Sequence, residues 1–297
     1  MQRPFFQSRS PSRGAGGIIS DYVGLVIAYR NRGLVAEVLA QLAAQTRQPR
    51  QVLVVDNGGT LGDDDLASMP LADRSVLIPR PDNPGYGAAV NEARGRLGDD
   101  ALLVLTHDAV FGPGLAEALL GALEGRDGCA APLLRFASDR ERMFSAGGRL
   151  TRGGRAFHLS APLSAEPYRV DWLDGAIAMY TAGALERIDW IAEEYFLYFE
   201  DVDTGWRLAR AGLDCLVVPS EIAYQQPGAH PMYLGVRNMV LFARKAGIGA
   251  VRSLGAVSYR VGREALGRLR RGGPTGLGEA RRGWRDGRAG LSGKPVG

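Results

Sequence analysis

The sequence has few cysteines and no long apolar run. Its two cysteines, Cys129 and Cys215, lie far apart in 297 residues, which excludes a disulfide framework and a cysteine-rich zinc site. Free cysteines suit a reducing compartment, so we expect a cytoplasmic protein. No apolar run approaches the length of a membrane span, and the first twenty residues lack the apolar core of a signal peptide. These absences predict a soluble protein, peripheral at most at the inner face of the membrane.

Charge is distributed unevenly along the chain. The net charge is +4, but residues 237–297 contain 14 basic and 3 acidic residues, a charge of +11, and the remainder has −7. A basic end of this kind is typical of a solvated helix face, a contact with anionic lipid or a contact with nucleic acid. Aromatic residues are sparse there and no nucleic-acid-binding fold is recognisable, so we expect no nucleic acid partner.

The apolar pattern alternates between short buried strands and amphipathic helices. A helix should begin after Asn31, with Leu34, Val38, Leu39 and Leu42 on its buried face. This alternation predicts an α/β protein with a mostly parallel central sheet, which would bind ligands at the carboxyl ends of its strands. The predicted strands are 23–29, 51–55, 74–79, 101–105, 129–134, 176–180, 213–218 and 222–225.

Three parts follow from this pattern. Residues 1–20 should form a flexible N-terminal tail, and residues 21–246 the α/β domain. Residues 247–297 should form a basic helical C-terminal extension that becomes loosely ordered from Arg271. Within the domain the pattern breaks over residues 136–167, where paired glycines predict a β-hairpin and a mobile loop.

Carboxylates follow several of the apolar segments. Asp56, Asp108 and Asp201 would repel each other at one sheet edge unless a cation lay between them, and a divalent cation bridging a diphosphate is a natural occupant. Glu200 stands beside Asp201 at the end of an aromatic segment, where a shifted pKa would suit a general base. The alternative is that Asp201 only caps the following helix.

Two common nucleotide-binding motifs are absent from the sequence. No Gly-Lys-Ser/Thr phosphate loop occurs, which excludes a Walker-type site. No Gly-x-Gly-x-x-Gly motif follows the first strand, which argues against a dinucleotide-dependent oxidoreductase.

Five segments lie within residues 23–247, about three quarters of the chain: VIAYRN (26–31), VVDNGG (54–59), NPGYGAAVN (83–91), WLDGA (172–176) and YFLYFEDVD (195–203). In the right order and with the right gaps, they resemble family 2 glycosyltransferases of the GT-A fold, in the subgroup of bacterial rhamnosyltransferases. The resemblance implies a GT-A fold and a nucleotide-sugar donor.

The resemblance implies that the donor lies against the ends of the first strands. Ala28 and Tyr29 would contact the nucleotide, and Asp56 would accept a hydrogen bond from the base. For Asp56 the alternative is a turn residue at the end of a strand. Other residues would also contact the donor, with turn or loop chemistry as their alternative; they are Asn83, Gly85, Asn91 and His107.

The resemblance also implies a metal site. Asp108 would bind Mg²⁺ or Mn²⁺ beside the leaving diphosphate, although Thr106 stands where most members have Asn or Asp. Gln225 stands where the family tends to carry a His, and its oxygen could still bind Mg²⁺. His230, five residues further on, could replace it, or could simply begin a helix.

For catalysis, the resemblance implies that Asp201 is the base and that Glu200 orients the acceptor or holds the charge state of Asp201. The acceptor would contact Trp172, Asp174 and Gly175, with core packing as the alternative for Trp172. Residues 136–167 should shape the acceptor pocket. Asp203 should instead pair with Arg207 one helical turn on.

These roles imply an inverting transferase, with L-rhamnose from dTDP-rhamnose as the favoured donor. The acceptor hydroxyl would belong to a cell-surface saccharide, a lipid-linked sugar or a secondary metabolite. Two alternatives remain open. The altered Thr106 and Gln225 positions would suit a domain that binds the donor without turnover. The second alternative is a nucleotidyltransferase, a class that usually has a Gly-rich turn with Lys or Arg between the first strand and helix. Residues 29–33 fit that pattern poorly.

Overall fold

The structure is a computed structural model that describes residues 21–228 and 230–295. The tail predicted for residues 1–20 lies outside the described residues. Among the residues described, no helix combines the length and apolar character that crossing a bilayer requires.

A central sheet of nine strands is formed by the described residues. The strand order is β3-β2-β1-β4-β10-β5-β11-β9, and β6 adds to β5. Strands β1 to β4 run parallel, β10 is antiparallel to both β4 and β5, and β11 is parallel to β5. The strands are β1 (Tyr22–Ala28), β2 (Gln51–Asp56), β3 (Ser75–Pro79), β4 (Ala101–Thr106), β5 (Gly128–Phe136), β6 (Asp139–Ser145), β9 (Tyr168–Arg169), β10 (Ile177–Tyr180) and β11 (Asp214–Gln225).

Helices cover both faces of the sheet. Neighbouring side chains on each strand point to opposite faces, and apolar side chains on both faces are buried. Val26 and Val54 belong to one core cluster, while Leu25 and Leu53 belong to the other. The helices are α1 (Arg32–Ala43), α2 (Asp63–Ala67), α3 (Tyr86–Asn91), α4 (Leu115–Leu123), α5 (Ala182–Arg187), α6 (Glu200–Arg210), α7 (Met232–Lys245), α8 (Ala250–Arg270) and α9 (Leu277–Ala289), with a 3₁₀ turn at Ala72–Arg74.

The first helix follows its sequence pattern closely. The side chain of Asn31 caps α1 by accepting a hydrogen bond from the backbone N–H of Leu34 at 3.1 Å. Val38, Leu39 and Leu42 are buried as predicted, whereas Leu34 is only half-buried and the neighbouring Val35 is buried. The cap and the apolar face therefore both act where the sequence placed them.

The parallel register brings the carboxyl ends of the strands that precede the predicted donor and metal residues to one edge of the sheet. Ala28 pairs with Asp56, and Ile27 pairs with Thr106. The ends of β1, β2 and β4 therefore lie side by side, as the strand–helix–strand pattern predicts.

Three elements differ from the pattern. The helix predicted over residues 88–97 is the short α3, which gives way to turns containing Gly95 and Gly98 at positive φ. The two strands predicted at 213–218 and 222–225 form one strand, β11, with a bulge between Val218 and Ile222. Within residues 136–167, the predicted hairpin is formed by β7 (Gly148–Leu150) and β8 (Ala156–His158), whereas strand β6 was not predicted.

The expectation of a loose tail from Arg271 is wrong for α9, which packs against α7. A Cβ atom on Gly283 would lie 2.5 Å from the carbonyl oxygen of Tyr233, and one on Gly287 would lie 2.7 Å from that of Arg237. The buried Arg237 also donates a 2.8 Å hydrogen bond to the carbonyl oxygen of Gly293. The glycines that suggested disorder are thus the residues that let two helix backbones approach closely.

We predict that Gly283→Ala destabilises the protein, because its methyl group would force α9 away from α7. The free energy of unfolding should fall by about 1–3 kcal/mol. Gly278→Ala on the same helix is the matched control, since a Cβ atom there meets nothing within 4 Å. It should be neutral or stabilising by up to about 1 kcal/mol. Urea unfolding of both variants measures the difference, and equal stability of the two would contradict the close approach.

Candidate active site

A cleft with a volume of about 860 Å³ opens beyond the carboxyl edge of the sheet. Its walls come from the end of β4, the β6–β8 region, the segments before β10 and α6, the end of β11, and one face of α8. The residues that line it include most of the predicted catalytic, acceptor and metal positions; they are Asp108, Trp172, Asp174, Gly175, Glu200 and Asp201.

An unusual turn carries Glu200 and Asp201 into the cleft. Phe196, Tyr198 and Phe199 all have positive φ angles, between 66° and 80°, a conformation that costs non-glycine residues of order 1 kcal/mol each. Such a turn persists only when its surroundings hold it. It directs the first residues of α6 towards the cavity.

The buried amide of Asn238 on α7 holds this turn. Its Nδ2 atom lies within hydrogen-bond distance of three backbone carbonyl oxygens, those of Tyr195 at 3.1 Å, Leu197 at 2.8 Å and Tyr198 at 2.7 Å. The neighbouring Arg237 donates a further bond of 2.8 Å to the carbonyl of Tyr195. Sequence reasoning missed Asn238, because these bonds join residues about forty positions apart.

Burial raises the pKa of both carboxyl groups of the pair. Glu200 is 6% exposed, and its Oε2 atom has no hydrogen-bond partner among the described residues. Burial, and then the charge of Asp201, holds its pKa well above the usual range. Burial, and then the charge of Asp174, raises the pKa of Asp201 to about 7. Carboxyl groups with pKa values shifted in this way are suited to proton transfer near neutral pH.

Asp201 is not the N-cap of α6. The N-cap residue is Phe199, and no side chain caps it. Asp201 lies in the first turn, and its carboxylate accepts a 2.7 Å hydrogen bond from the adjacent backbone N–H of Val202. The capping alternative is therefore wrong, and the carboxylate faces the cleft.

Asp203 has the structural role that the sequence predicts. It is fully buried and pairs with Nε of Arg207 at 2.6 Å and with Nζ of Lys245 at 3.0 Å. The hydroxyl of Tyr195 donates to it at 3.2 Å. Its charge is thus neutralised locally, in contrast to that of its neighbours in the cleft.

The cleft wall that carries Asp174 also contains His158, which the sequence did not reveal. Asp174 accepts a 2.9 Å hydrogen bond from the backbone N–H of Ala176 and lies 4.0 Å from Nε2 of His158. Burial lowers the pKa of His158, although the charge of Asp174 opposes this shift. His158 lines the cleft from β8, within the region expected to shape the acceptor pocket.

Trp172 and Gly175 contribute both packing and surface to this wall. Trp172 is buried, its Nε1 donates to the carbonyl of Arg149 at 3.3 Å, and its ring centroid lies 4.8 Å from that of His158. Tyr86 donates a 2.7 Å hydrogen bond to the carbonyl of Gly175, where a Cβ atom would lie 3.0 Å from the Tyr86 hydroxyl. Core packing and acceptor contact are therefore compatible at Trp172.

Asp56 does not line the cleft, although it ends the neighbouring strand. It is fully buried, and its carboxylate accepts hydrogen bonds from the backbone N–H groups of Gly58 at 2.9 Å and Leu61 at 2.8 Å. Ala28 beside it is also buried, whereas Tyr29 is 42% exposed. The contacts of these three residues with a nucleotide remain predictions.

The other predicted donor residues mainly organise loops. Asn83 adopts a positive φ of 45°, and Gly85 leaves room for the carbonyl of Phe196, which a Cβ atom would approach to 2.3 Å. The amide of Asn91 exchanges hydrogen bonds with the backbone of Ile191 at 2.9 and 3.0 Å. His107 lies with Nδ1 3.3 Å from the carbonyl of Ile27. Donor contacts by these four residues stay predictions.

The cleft offers a single carboxylate to a metal at the end of β4. Among residues 21–228 and 230–295, no group of three His, Cys, Asp or Glu side chains is arranged to hold a metal ion. Asp108 is half-buried, and the nearby Oγ1 of Thr106 is buried without a hydrogen-bond partner in the described chain. Mg²⁺ is commonly held by one or two carboxylates together with substrate phosphates. The residues therefore fit an ion that binds with a diphosphate.

Two residues considered for metal binding lie elsewhere on the cleft wall. Gln225 is buried at the end of β11. The ring of His230 stacks on that of Tyr198 with centroids 4.1 Å apart, and burial lowers the pKa of His230.

One face of the basic helix α8 closes the cleft opposite the carboxylates. Tyr259, Arg260, Arg263 and Glu264 line the cavity. Sequence reasoning considered this segment only as a solvated or partner-binding face. Its arginines recur at helical spacing, but the packing of α8 beside the β7–β8 hairpin determines which of them face the cavity.

Comparisons with known proteins agree with the architecture. A sequence profile described as "Glycosyltransferase like family 2" matches residues 21–240. The N-acetylglucosaminyl-diphospho-decaprenol L-rhamnosyltransferase of Mycobacterium tuberculosis is 33% identical over 215 residues, covering 61% of this chain and 68% of that protein.

Solved structures of glycosyltransferases share the fold. GalNAc-T7, solved with UDP, GalNAc and Mn²⁺, has a TM-score of 0.63 at 12% identity, covering 75% of this chain and 47% of its own. The Pyrobaculum calidifontis mannosyltransferase PcManGT, solved with GDP-Man and Mn²⁺, has a TM-score of 0.53 at 16% identity, covering 94% and 77%. These likenesses confirm the predicted GT-A fold.

Proposed function

From the premise that this chain belongs to glycosyltransferase family 2, we propose that it is an inverting rhamnosyltransferase. It would move L-rhamnose from dTDP-rhamnose to a hydroxyl of a lipid-linked saccharide in polysaccharide or cell-wall synthesis. The observation that carries the proposal is the Glu200–Asp201 pair, in which Glu200 is buried, Asp201 is half-buried and both carboxyl groups have raised pKa values. Both residues line the cleft beside the strand ends. The related mycobacterial rhamnosyltransferase supports the choice of sugar and acceptor class.

The reaction follows from the position of the pair. Asp201, with a pKa of about 7, is substantially ionised at neutral pH and can accept the proton of the acceptor hydroxyl. The acceptor oxygen then forms a bond to the anomeric carbon as the bond to the diphosphate breaks on the opposite face, which inverts the configuration. Glu200 holds the charge state of its neighbour, and Asp174 and Trp172 position the acceptor.

A divalent cation would supply positive charge to the leaving diphosphate. Asp108 is the carboxylate that would hold it, near Thr106, whose hydroxyl has no hydrogen-bond partner among the described residues. GalNAc-T7 and PcManGT were solved with Mn²⁺ together with a nucleotide or a nucleotide sugar, which supports this choice.

We favour turnover over donor binding alone. A domain that only bound a nucleotide sugar would gain nothing from the desolvation of Glu200, whose Oε2 lacks a partner among the described residues. Burying an unpaired carboxyl group is costly. Its presence beside Asp201 therefore supports a catalytic role for the pair.

Helix α8 also has the features of a peripheral membrane contact. Val251 is 85% exposed and Leu254 is 51% exposed, and Leu269 is exposed on the same side of the helix. The exposed Arg270 adds positive charge to this surface. An apolar stripe with flanking arginines suits the headgroup region of an anionic bilayer, where a lipid-linked acceptor would be found.

We predict that Asp201→Asn lowers transfer at least about a hundredfold, because the amide cannot accept the proton. Its affinity for dTDP-rhamnose should stay within a few-fold. In the unmodified protein, kcat/KM should fall about tenfold per pH unit below about pH 7, where Asp201 becomes protonated. Product formation across pH and donor calorimetry measure these effects.

Asp99→Asn is the control for the Asp201 variant, since Asp99 is exposed and does not line the cleft. Its turnover should be normal. A normal rate in Asp201→Asn would disprove the assignment of the base.

We predict that a chelator suppresses transfer and that Mg²⁺ or Mn²⁺ restores it. Asp108→Ala should raise the metal concentration needed for half-maximal rate about tenfold or more, because it removes the carboxylate ligand. Asp99→Ala controls for loss of one negative charge. Full activity in the presence of chelator, with no effect of Asp108→Ala, would remove the metal from the mechanism.

We predict that the protein sediments with vesicles containing anionic lipid and is released by high salt. Leu254→Gln combined with Leu269→Gln should weaken vesicle binding at least about tenfold, because two leucines lose their apolar contact. Leu163→Gln alters an exposed leucine outside α8 and should bind normally. Failure of the unmodified protein to sediment would rule out this contact.

A further inference from the structure

A second cavity, of about 880 Å³, lies beside the cleft between the β7–β8 hairpin and α8. Its lining is rich in one residue type, since Arg149, Arg152, Arg155 and Arg252 all face it. Among the described residues, Asp171 is the single acidic residue in the lining. We call this cavity the arginine cavity.

The positive charge of the arginine cavity is largely uncompensated. Arg149 pairs with Asp171 at 3.1 Å, and that carboxylate also accepts the backbone N–H of Leu150 at 2.8 Å. Arg152 and Arg252 form no ion pair within the part of the chain that the structure describes. Like charges held close together repel each other unless an anion lies between them.

The backbone sets the spacing of these arginines. A Cβ atom on Gly153 would lie only 2.9 Å from the carbonyl oxygen of Arg252, so the tip of the hairpin packs directly on α8. Arg152 and Arg252 are therefore carried on two backbones in close contact. Arg155 lies over the rings of Phe157 and Tyr259, at 4.8 and 4.9 Å from their centroids, which fixes a third guanidinium between the hairpin and the helix.

We propose that the arginine cavity binds the diphosphate of a polyprenyl-diphosphate-linked acceptor. The inference rests on the proposed function and adds a recognition site to it. Guanidinium groups are suited to diphosphate because they donate paired hydrogen bonds to its oxygens.

The location favours the acceptor over the donor as the source of the diphosphate. Arg155, Phe157 and Tyr259 line both cavities, so the two share a wall on the side of β8 and α8. His158 follows Phe157 on β8 and packs against Trp172, with ring centroids 4.8 Å apart, so both lie on this side of the cleft. Asp108 and Thr106 lie instead at the end of β4. A sugar held beside His158 and Trp172 can thus place its diphosphate among the arginines.

The outer surface of α8 would contact the apolar chain of the acceptor. Val251 and Leu254 flank Arg252 in the sequence of the helix and are exposed. The acceptor would therefore run from its sugar in the cleft, through its diphosphate at the arginines, to its apolar chain along α8.

The test uses Arg152→Gln combined with Arg252→Gln in the full chain. Transfer from dTDP-rhamnose is measured to two detergent-dispersed acceptors with the same N-acetylglucosamine, one linked through diphosphate to a short prenyl chain and one linked to a neutral alkyl chain. The variant should raise KM for the diphosphate acceptor at least about tenfold. KM for the neutral acceptor and for the donor should stay within about twofold.

Arg126→Gln combined with Arg281→Gln is the matched control, because it removes two exposed charges outside both cavities. It should leave every KM unchanged. The proposal is overturned if the Arg152/Arg252 variant leaves KM for the diphosphate acceptor unchanged, raises it equally for both acceptors, or raises KM for the donor instead.

Direct binding separates this proposal from the proposed function. Calorimetry with geranyl diphosphate, without any donor, should show binding that weakens at least about tenfold in the Arg152/Arg252 variant and not in the control. If the unmodified protein transferred rhamnose to neither acceptor but bound geranyl diphosphate through Arg152 and Arg252, the proposed function would be refuted and the diphosphate site supported. Equal affinity for inorganic pyrophosphate and geranyl diphosphate would overturn the lipid-linked assignment, since the apolar chain would then contribute nothing.

Discussion

One buried amide, that of Asn238, holds the part of the structure on which the chemistry depends. The turn before α6 has three non-glycine residues in the left-handed region, and such a conformation survives only where other contacts determine it. Asn238 satisfies the carbonyl groups of this turn from α7. Without that support the chain would relax, and Glu200 and Asp201 would no longer face the cleft together.

The same helix ties the C-terminal extension to this turn. Arg237 bonds to the carbonyl of Tyr195 at one end of its guanidinium and to that of Gly293, beyond α9, at the other. The close glycine contacts between α7 and α9 hold that arginine in a buried position. The extension is therefore part of the support for the carboxylate pair as well as a wall of the cleft.

Acidic and basic side chains gather on different structural elements around the two cavities. Carboxylates gather at the cleft, where burial and mutual repulsion raise the pKa values of Glu200 and Asp201. Arginines gather on α8 and the β7–β8 hairpin. We propose that a base is thereby placed between a donor held at the strand ends and an anionic acceptor held by the arginines. The basic C-terminal segment, which composition alone left open, gains a specific role in this arrangement.

The sequence by itself determined most strands of the central sheet, the first helix cap and the edge at which the motifs meet, but it did not predict β6 or β9. Strand alternation and helix capping depend on neighbouring residues, so they can be recognised locally. The family-like segments identified the glycosyltransferase and its GT-A fold. They also led to Asp201, because the acidic pair stands in a segment with an unusual run of aromatic residues.

Only the tertiary structure decided which distant residues share the site. It placed His158 in the cleft wall near Asp174, Asn238 under the turn and one face of α8 along the cleft. It also gave α9 a packing partner that a Gly/Arg-rich tail did not suggest. In the folded chain, the Asp56 carboxylate and the Asn91 amide form hydrogen bonds with backbone groups. These contacts join residues far apart in the chain, and no local periodicity records them, because their geometry exists only once the helices and the sheet have packed.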